Sequence, residues 1–218
     1  MKKQVLSMLL AASVVSPVLA GTYSSGNVNG SGTSLSTVIP DGNVNGISFG
    51  LNVSGEGATL TAVTVTLNLA GGYNGDLYAY LAYDGTLVTL LNRVGTGLGG
   101  PIQQVFGFST SGFNNVTLGA SGSDIHGVQN PTSGGSYTPD GGSLASFAGL
   151  NPNGTWTLFF ADLSGGNVST LNGWSLDITA VPEPANVALG IFGVLLVVGS
   201  IARRYGWAKK LHNLYASY

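Results

Sequence analysis

The chain has 218 residues, no cysteine, 35 glycines and only 7% charged residues, so no disulfide staples it and any core rests on packing, alone or with a metal. Lys2 and Lys3 stand at its start and Arg203, Arg204, Lys209 and Lys210 at its end, which leaves Arg93 alone against the eight carboxylates of residues 21–180. A central region near −7 excludes a nucleic-acid partner, which needs clustered cations to meet phosphates, and favours cations such as calcium.

Residues 1–20 combine a basic start, an apolar run from Val5 to Val15, and Val18-Leu19-Ala20 before Gly21. This is the three-part pattern of a secretory signal peptide, cut between Ala20 and Gly21. The run is too short to cross a hydrocarbon core of about 30 Å as a helix. Residues 21–36 are Gly, Asn, Ser and Thr with little to bury, which predicts a flexible leader.

Residues 37–180 read as one domain. Ile47, Phe49, Leu51 and Val53 alternate with Ser48, Gly50 and Asn52, and Val63, Val65, Leu67 and Leu69 alternate with threonines and Asn68. That period of two predicts strands with one buried face. Leu77 to Tyr83 and Thr86 to Leu91 flank Asp84-Gly85, a hairpin signal because both residues accept positive φ. Ile102 to Phe108 and Phe113 to Leu118 predict two more strands, and Gly119 to Ser143 a long irregular loop. Trp156, Leu158 and Phe160, then Trp174, Leu176 and Ile178, predict a last pair that carries two indoles into one core. Eight or nine strands without a helical period predict an all-β, two-sheet sandwich.

Chemistry is sparse. A catalytic triad needs a histidine between a nucleophile and a carboxylate, and this domain offers only His126, with no Gly-x-Ser-x-Gly elbow. A zinc site lacks both cysteine and a second histidine. The expectation is that the domain is not an enzyme. Tyr78 and Tyr80 share the face opposite Leu77, Ala79 and Leu81, either as sheet packing or as a platform for a sugar. Asp76 opens a strand after one glycine-rich loop and Asp162 closes another before a second; each either caps its turn or joins loop carbonyls around a calcium ion. Asp124, among Gly, Ser and Asn, is a third candidate ligand.

After Val181, Pro182-Glu183-Pro184 ends the last strand, and residues 185–202 form an apolar run of eighteen, about 27 Å as a helix. That length spans a bilayer with Arg203 and Arg204 on the cytoplasmic side, followed by a basic and aromatic tail over 205–218.

Two resemblances follow from these residues. Ile39-Pro40-Asp41-Gly42, Gly75-Asp76-Leu77, Tyr137-Thr138-Pro139, Asn151-Pro152-Asn153-Gly154-Thr155-Trp156 and Leu171-Asn172-Gly173-Trp174-Ser175-Leu176 occur in the order and spacing of the P domain that follows the catalytic domain of subtilisin-like proprotein convertases. The resemblance covers Ile39 to Thr179 and implies a jelly roll, with calcium held near Asp76 and Asp162; the protease domain is missing. The Pro-Glu-Pro, apolar run and arginine pair over 181–204 resemble the PEP-CTERM sorting signal of exported bacterial proteins. That signal implies an exosortase-like partner that recognises and releases the chain. Together they imply a non-catalytic cell-surface or extracellular-matrix protein associated with exopolysaccharide or biofilm. A carbohydrate-binding or adhesion module is the alternative, and an accessory piece of a serine protease system a more distant one.

Overall fold

The computed structural model describes residues 18–99, 103–182 and 184–215. Most of the expected signal peptide, the start of the expected strand at Ile102, Glu183 of the Pro-Glu-Pro motif and the end of the tail lie outside the described residues.

Ten strands follow in order: β1 (Leu19–Gly26), β2 (Thr37–Val38), β3 (Asn43–Val53), β4 (Thr59–Gly71), β5 (Leu77–Tyr83), β6 (Thr86–Asn92), β7 (Phe113–Asp124), β8 (Ser136–Thr138), β9 (Gly154–Asp162) and β10 (Ser169–Val181). One sheet runs β1-β10-β4-β7-β8, with β2 also on β10, and the other runs β3-β9-β5-β6. This is a two-sheet, jelly-roll-like all-β sandwich. The alternating residues do what their period predicts: Trp156, Leu158 and Phe160 of β9 and Trp174, Leu176 and Ile178 of β10 are all buried in one core. Outward residues of the first sheet are polar and bonded to one another, as in Thr66 with Thr117 at 2.9 Å and Thr22 donating to Asp177 at 2.6 Å. The β5–β6 hairpin closes on Asp84 and Gly85, both at positive φ.

Four expectations are corrected. Residues 21–36 are not simply a flexible leader: β1 pairs with β10 from Leu19↔Ala180 to Gly26↔Gly173. A strand of Gly, Ser and Thr offers little hydrophobic signal because it is held by backbone pairing, with Tyr23 alone reaching the core and donating to Ser54 and Glu56. Ile102 to Phe108 does not form a strand over its described part. Gln103–Phe106 is the short helix α1, and the Arg93 guanidinium fastens its Val105 carbonyl at 3.1 Å. The long loop is partly regular, since β7 continues to Asp124 and β8 pairs parallel to it. Finally, the expected span and tail form one continuous helix.

That helix, α2 (Pro184–Tyr215), starts on a proline, whose missing amide costs nothing in the first turn. Ala188–Gly206 within it is long and apolar enough to cross a membrane, and none of that stretch is buried. Arg203 and Arg204 lie at its end and are exposed.

Candidate functional site

The candidate site lies where three strand ends of the four-stranded sheet meet. Asp162 ends β9 and faces Leu77 at the start of β5 on one side and Asn43 at the start of β3 on the other. Asp76 immediately precedes β5 on a 3-10 turn, and its carbonyl accepts from the Leu163 amide at 2.8 Å. Gly75 beside it is required by close approach, because a Cβ there would lie 2.5 Å from the Phe106 carbonyl oxygen. The two aspartates that the sequence paired are thereby brought to one end of the sheet.

A third acid joins them that the sequence reading did not single out. Asp41, from the Ile39-Pro40-Asp41-Gly42 stretch, accepts the Gly166 amide on both carboxylate oxygens at 3.1 and 2.9 Å. This fastens the start of β3 to the loop after β9. The signal was present in the sequence, as an aspartate inside a stretch already quoted, but nothing local tied it to residues more than a hundred positions away.

The electrostatics are costly. Asp162 is 0% exposed and Asp76 5%. Burial, with added repulsion from Asp76 and Asp41, pushes the Asp162 carboxyl up to about 6, while the Ser164 amide pulls the other way. Burial also raises Asp76, opposed by the Ser164 hydroxyl and the Arg93 charge. Ser164 donates its amide to Asp162 Oδ1 at 3.2 Å, but Asp162 Oδ2 is buried and has no hydrogen-bond partner among the described residues. A buried carboxylate oxygen left bare costs about 1–3 kcal/mol, and a proton or a bound cation removes that cost. Among the described residues no group of three His, Asp or Glu side chains forms a ready metal-ligand set. Calcium here would therefore take Asp76 and Asp162 with carbonyl oxygens of the glycine-rich loops, which is chemistry that hard cation accepts. The bare Oδ2 fits that role.

Asp124 is placed elsewhere. Its Oδ1 accepts the His126 amide at 3.0 Å and caps the turn Ile125–Gly127, and its charge acts on His126 rather than on Asp76 or Asp162. His126 has both ring nitrogens engaged, by Asp140 at 2.9 Å and by the Thr96 carbonyl at 2.8 Å.

Tyr78 and Tyr80 share the outer face of the four-stranded sheet as expected. Tyr80 stacks on Phe159 at 4.7 Å with planes 14° apart, and Tyr78 meets Tyr80 edge-on at 6.2 Å. A Cβ at Gly46 would lie 2.5 Å from the Phe159 ring, so the Gly46 backbone lies close against that ring. One face of Tyr80 and one of Phe159 are thereby used within the row.

Ala20 and Gly21, the expected cleavage pair, lie inside β1 opposite Thr179 and Ile178. Pro182 follows β10 directly, and Pro184 opens α2.

No family model matches the sequence, and no curated protein matches it. Six chains of known structure do. One is the serine protease of Aeromonas sobria in complex with its chaperone, 19% identical, with a TM-score of 0.49 over 77% of this chain and 28% of that one. Another is the serine protease of Aeromonas sobria, 19% identical, with a TM-score of 0.47 over 76% of this chain and 27% of that one. The chain thus spans less than a third of either match.

Proposed function

We propose that the chain is a non-catalytic exported module of the cell surface or extracellular matrix, carried to the membrane by α2 and sorted through its PEP-CTERM-like tail by an exosortase-like enzyme. The observation that carries this reading is the apolar stretch Ala188–Gly206, none of whose residues is buried and which ends in exposed Arg203 and Arg204. So much bare apolar surface is stable only against lipid or a partner, and a following arginine pair sets the cytoplasmic side.

The non-catalytic part of the reading is supported by His126. With one ring nitrogen on a carboxylate and the other on a backbone carbonyl, neither is left to take a proton from a nucleophile. Asp76 and Asp162 serve, in this reading, to hold calcium that ties three strand ends together. The acidic domain associates with extracellular polysaccharide.

The test is intact mass and C-terminal peptide mapping of protein recovered from cytosol, envelope and culture supernatant. The expected result is a chain that lacks residues 1–20 in the envelope, with a form shortened near Pro182 in the supernatant. Full-length chain confined to the cytosol would overturn the proposal.

A further inference from the structure

Next to the acidic strand ends lies a cavity of about 310 Å³, lined by Tyr73, Asp76, Phe106, Phe108, Ser164 and Asn167. Its volume falls at the low end of small-ligand sites, about 300–1,000 Å³, with room for one hexose ring. Two large aromatic residues stand open at it, Tyr73 at 40% and Phe106 at 60% exposed, while Asp76 beneath is almost fully enclosed. The sandwich core does not use Phe106: it sits on α1, outside both sheets.

The chemistry of the lining narrows the occupant. A purely apolar guest would strand the Asp76 carboxylate away from water. An acidic sugar would meet Asp76 together with the charges of Asp162 and Asp41, three carboxylates against the single charge of Arg93, whose guanidinium bonds the carbonyls of Gly75 and Val105. A neutral sugar would leave the excess of carboxylates over the one Arg93 charge unchanged. A cationic ring satisfies every wall, since aromatic faces attract both the C–H face of a pyranose and a positive charge, and Ser164 and Asn167 supply partners for hydroxyls.

We propose that this cavity binds a hexosamine unit with a free amine, part of an extracellular polysaccharide, its ring against Tyr73 and Phe106 and its ammonium on Asp76. The inference deepens the reading of the chain as a matrix module, rests on that reading for the source of the sugar, and concerns the calcium-free state, since ammonium and calcium would claim the same Asp76 carboxylate. It moves sugar recognition from the Tyr78 and Tyr80 row to the strand-end cavity.

The experiment is calorimetric titration of full-length protein in detergent micelles, with chelator present so that no divalent cation competes for Asp76. Glucosamine oligomers are compared with their N-acetylated counterparts, alginate oligomers and tetralysine. Glucosamine oligomers are expected to bind at least about tenfold more tightly than any of the three, and Phe106→Ala and Asp76→Asn to weaken them by about tenfold or more. Phe106 is exposed, so its variant is expected to keep the wild-type melting temperature and to report on the cavity rather than on folding. Equal binding of tetralysine would reduce the effect to attraction by an acidic protein and overturn the proposal. So would unchanged affinity in Phe106→Ala, or N-acetylated oligomers binding as well as free amines. Localisation is read separately by fractionation, so a failure here leaves the surface-module reading standing and a failure there leaves the cavity's affinity measured.

Discussion

His126 Nδ1 lies 2.9 Å from Asp140 Oδ2, and the same carboxylate oxygen accepts the Asn92 amide at 2.7 Å, so one histidine fastens the Asp124–Gly127 turn to the edge of β6. Across the ring, Nε2 meets the Thr96 carbonyl, which only accepts. Both nitrogens therefore serve best as donors, and the imidazolium is the form that satisfies both partners.

The pH dependence follows from that geometry. Burial alone lowers the basicity of His126, but the Asp140 and Thr96 hydrogen bonds and the charges of Asp140 and Asp124 outweigh it, and the net direction is upward. A histidine raised in the fold contributes stability that is fully present below its ordinary value of about 6.5 and is lost as pH rises through the folded value. Wild-type melting temperature is expected to fall across that interval, and His126→Ala to remove the slope at a cost of roughly 1–2 kcal/mol on the acid side. An NMR titration of His126 below about 6.5 would contradict this.

Asp162 shows the same sign in a carboxylate, for a different reason. Its folded value is raised from 3.8 to about 6, chiefly by burial, so the cation-free fold keeps this contribution below 3.8 and loses it as pH rises through about 6. Under the proposed calcium role the ion would take the ionised form, and it is expected to raise the melting temperature more near pH 7.5 than near pH 5. Asp162→Asn is expected to stabilise the chelator-treated protein at neutral pH and to abolish the calcium shift. An equal calcium shift in the variant would take the ion away from Asp162.

The sandwich was legible wherever large apolar residues alternate with small ones. The inward sets of β4, β5, β9 and β10 face as their period of two requires, and Asp84-Gly85 turns the chain where a residue pair tolerant of positive φ says it should. What escaped were elements held by other forces. β1 has backbone pairing and a single anchoring tyrosine, and α1 is fixed from outside by Arg93. In the candidate site the Asp76 and Asp162 pair could be read from matching positions at strand ends. Asp41 could not, because its role depends on the amide of Gly166, and only the fold brings the two together.

The two buried indoles make a sharper test of packing than either alone. Trp156 donates to the Pro152 carbonyl at 3.0 Å and stacks on Tyr83 at 4.1 Å, whereas Trp174 is as deeply buried with its Nε1 unpartnered. Trp156→Phe strands a carbonyl and thins a stack, while Trp174→Phe removes a donor that was never satisfied. Denaturant unfolding is expected to show a loss of roughly 2–3 kcal/mol for the first and about 1 kcal/mol or less for the second. The reverse order would mean that ring volume, not the indole hydrogen bond, dominates at these positions.

Shortening the chain from either end is expected to have unequal effects. A protein ended at Pro182 keeps β10 whole to Val181 and sheds α2 with its apolar stretch. It is expected to leave the membrane pellet and to melt within a few degrees of the intact protein. A protein begun at Asn27 instead loses eight residues paired to β10, together with the Tyr23 bonds to Ser54 and Glu56. That exposes the Gly173 to Ala180 side of β10, which β1 covers and β2 does not, as an open edge ready to pair with another chain. The expected outcome is a melting temperature lower by several degrees with concentration-dependent aggregation, since about 1 kcal/mol shifts a domain of this size by roughly 2–4 °C. Light scattering alongside the melt checks both, and an unchanged, monodisperse protein would show β1 to be a passive cover rather than a working strand of the sheet.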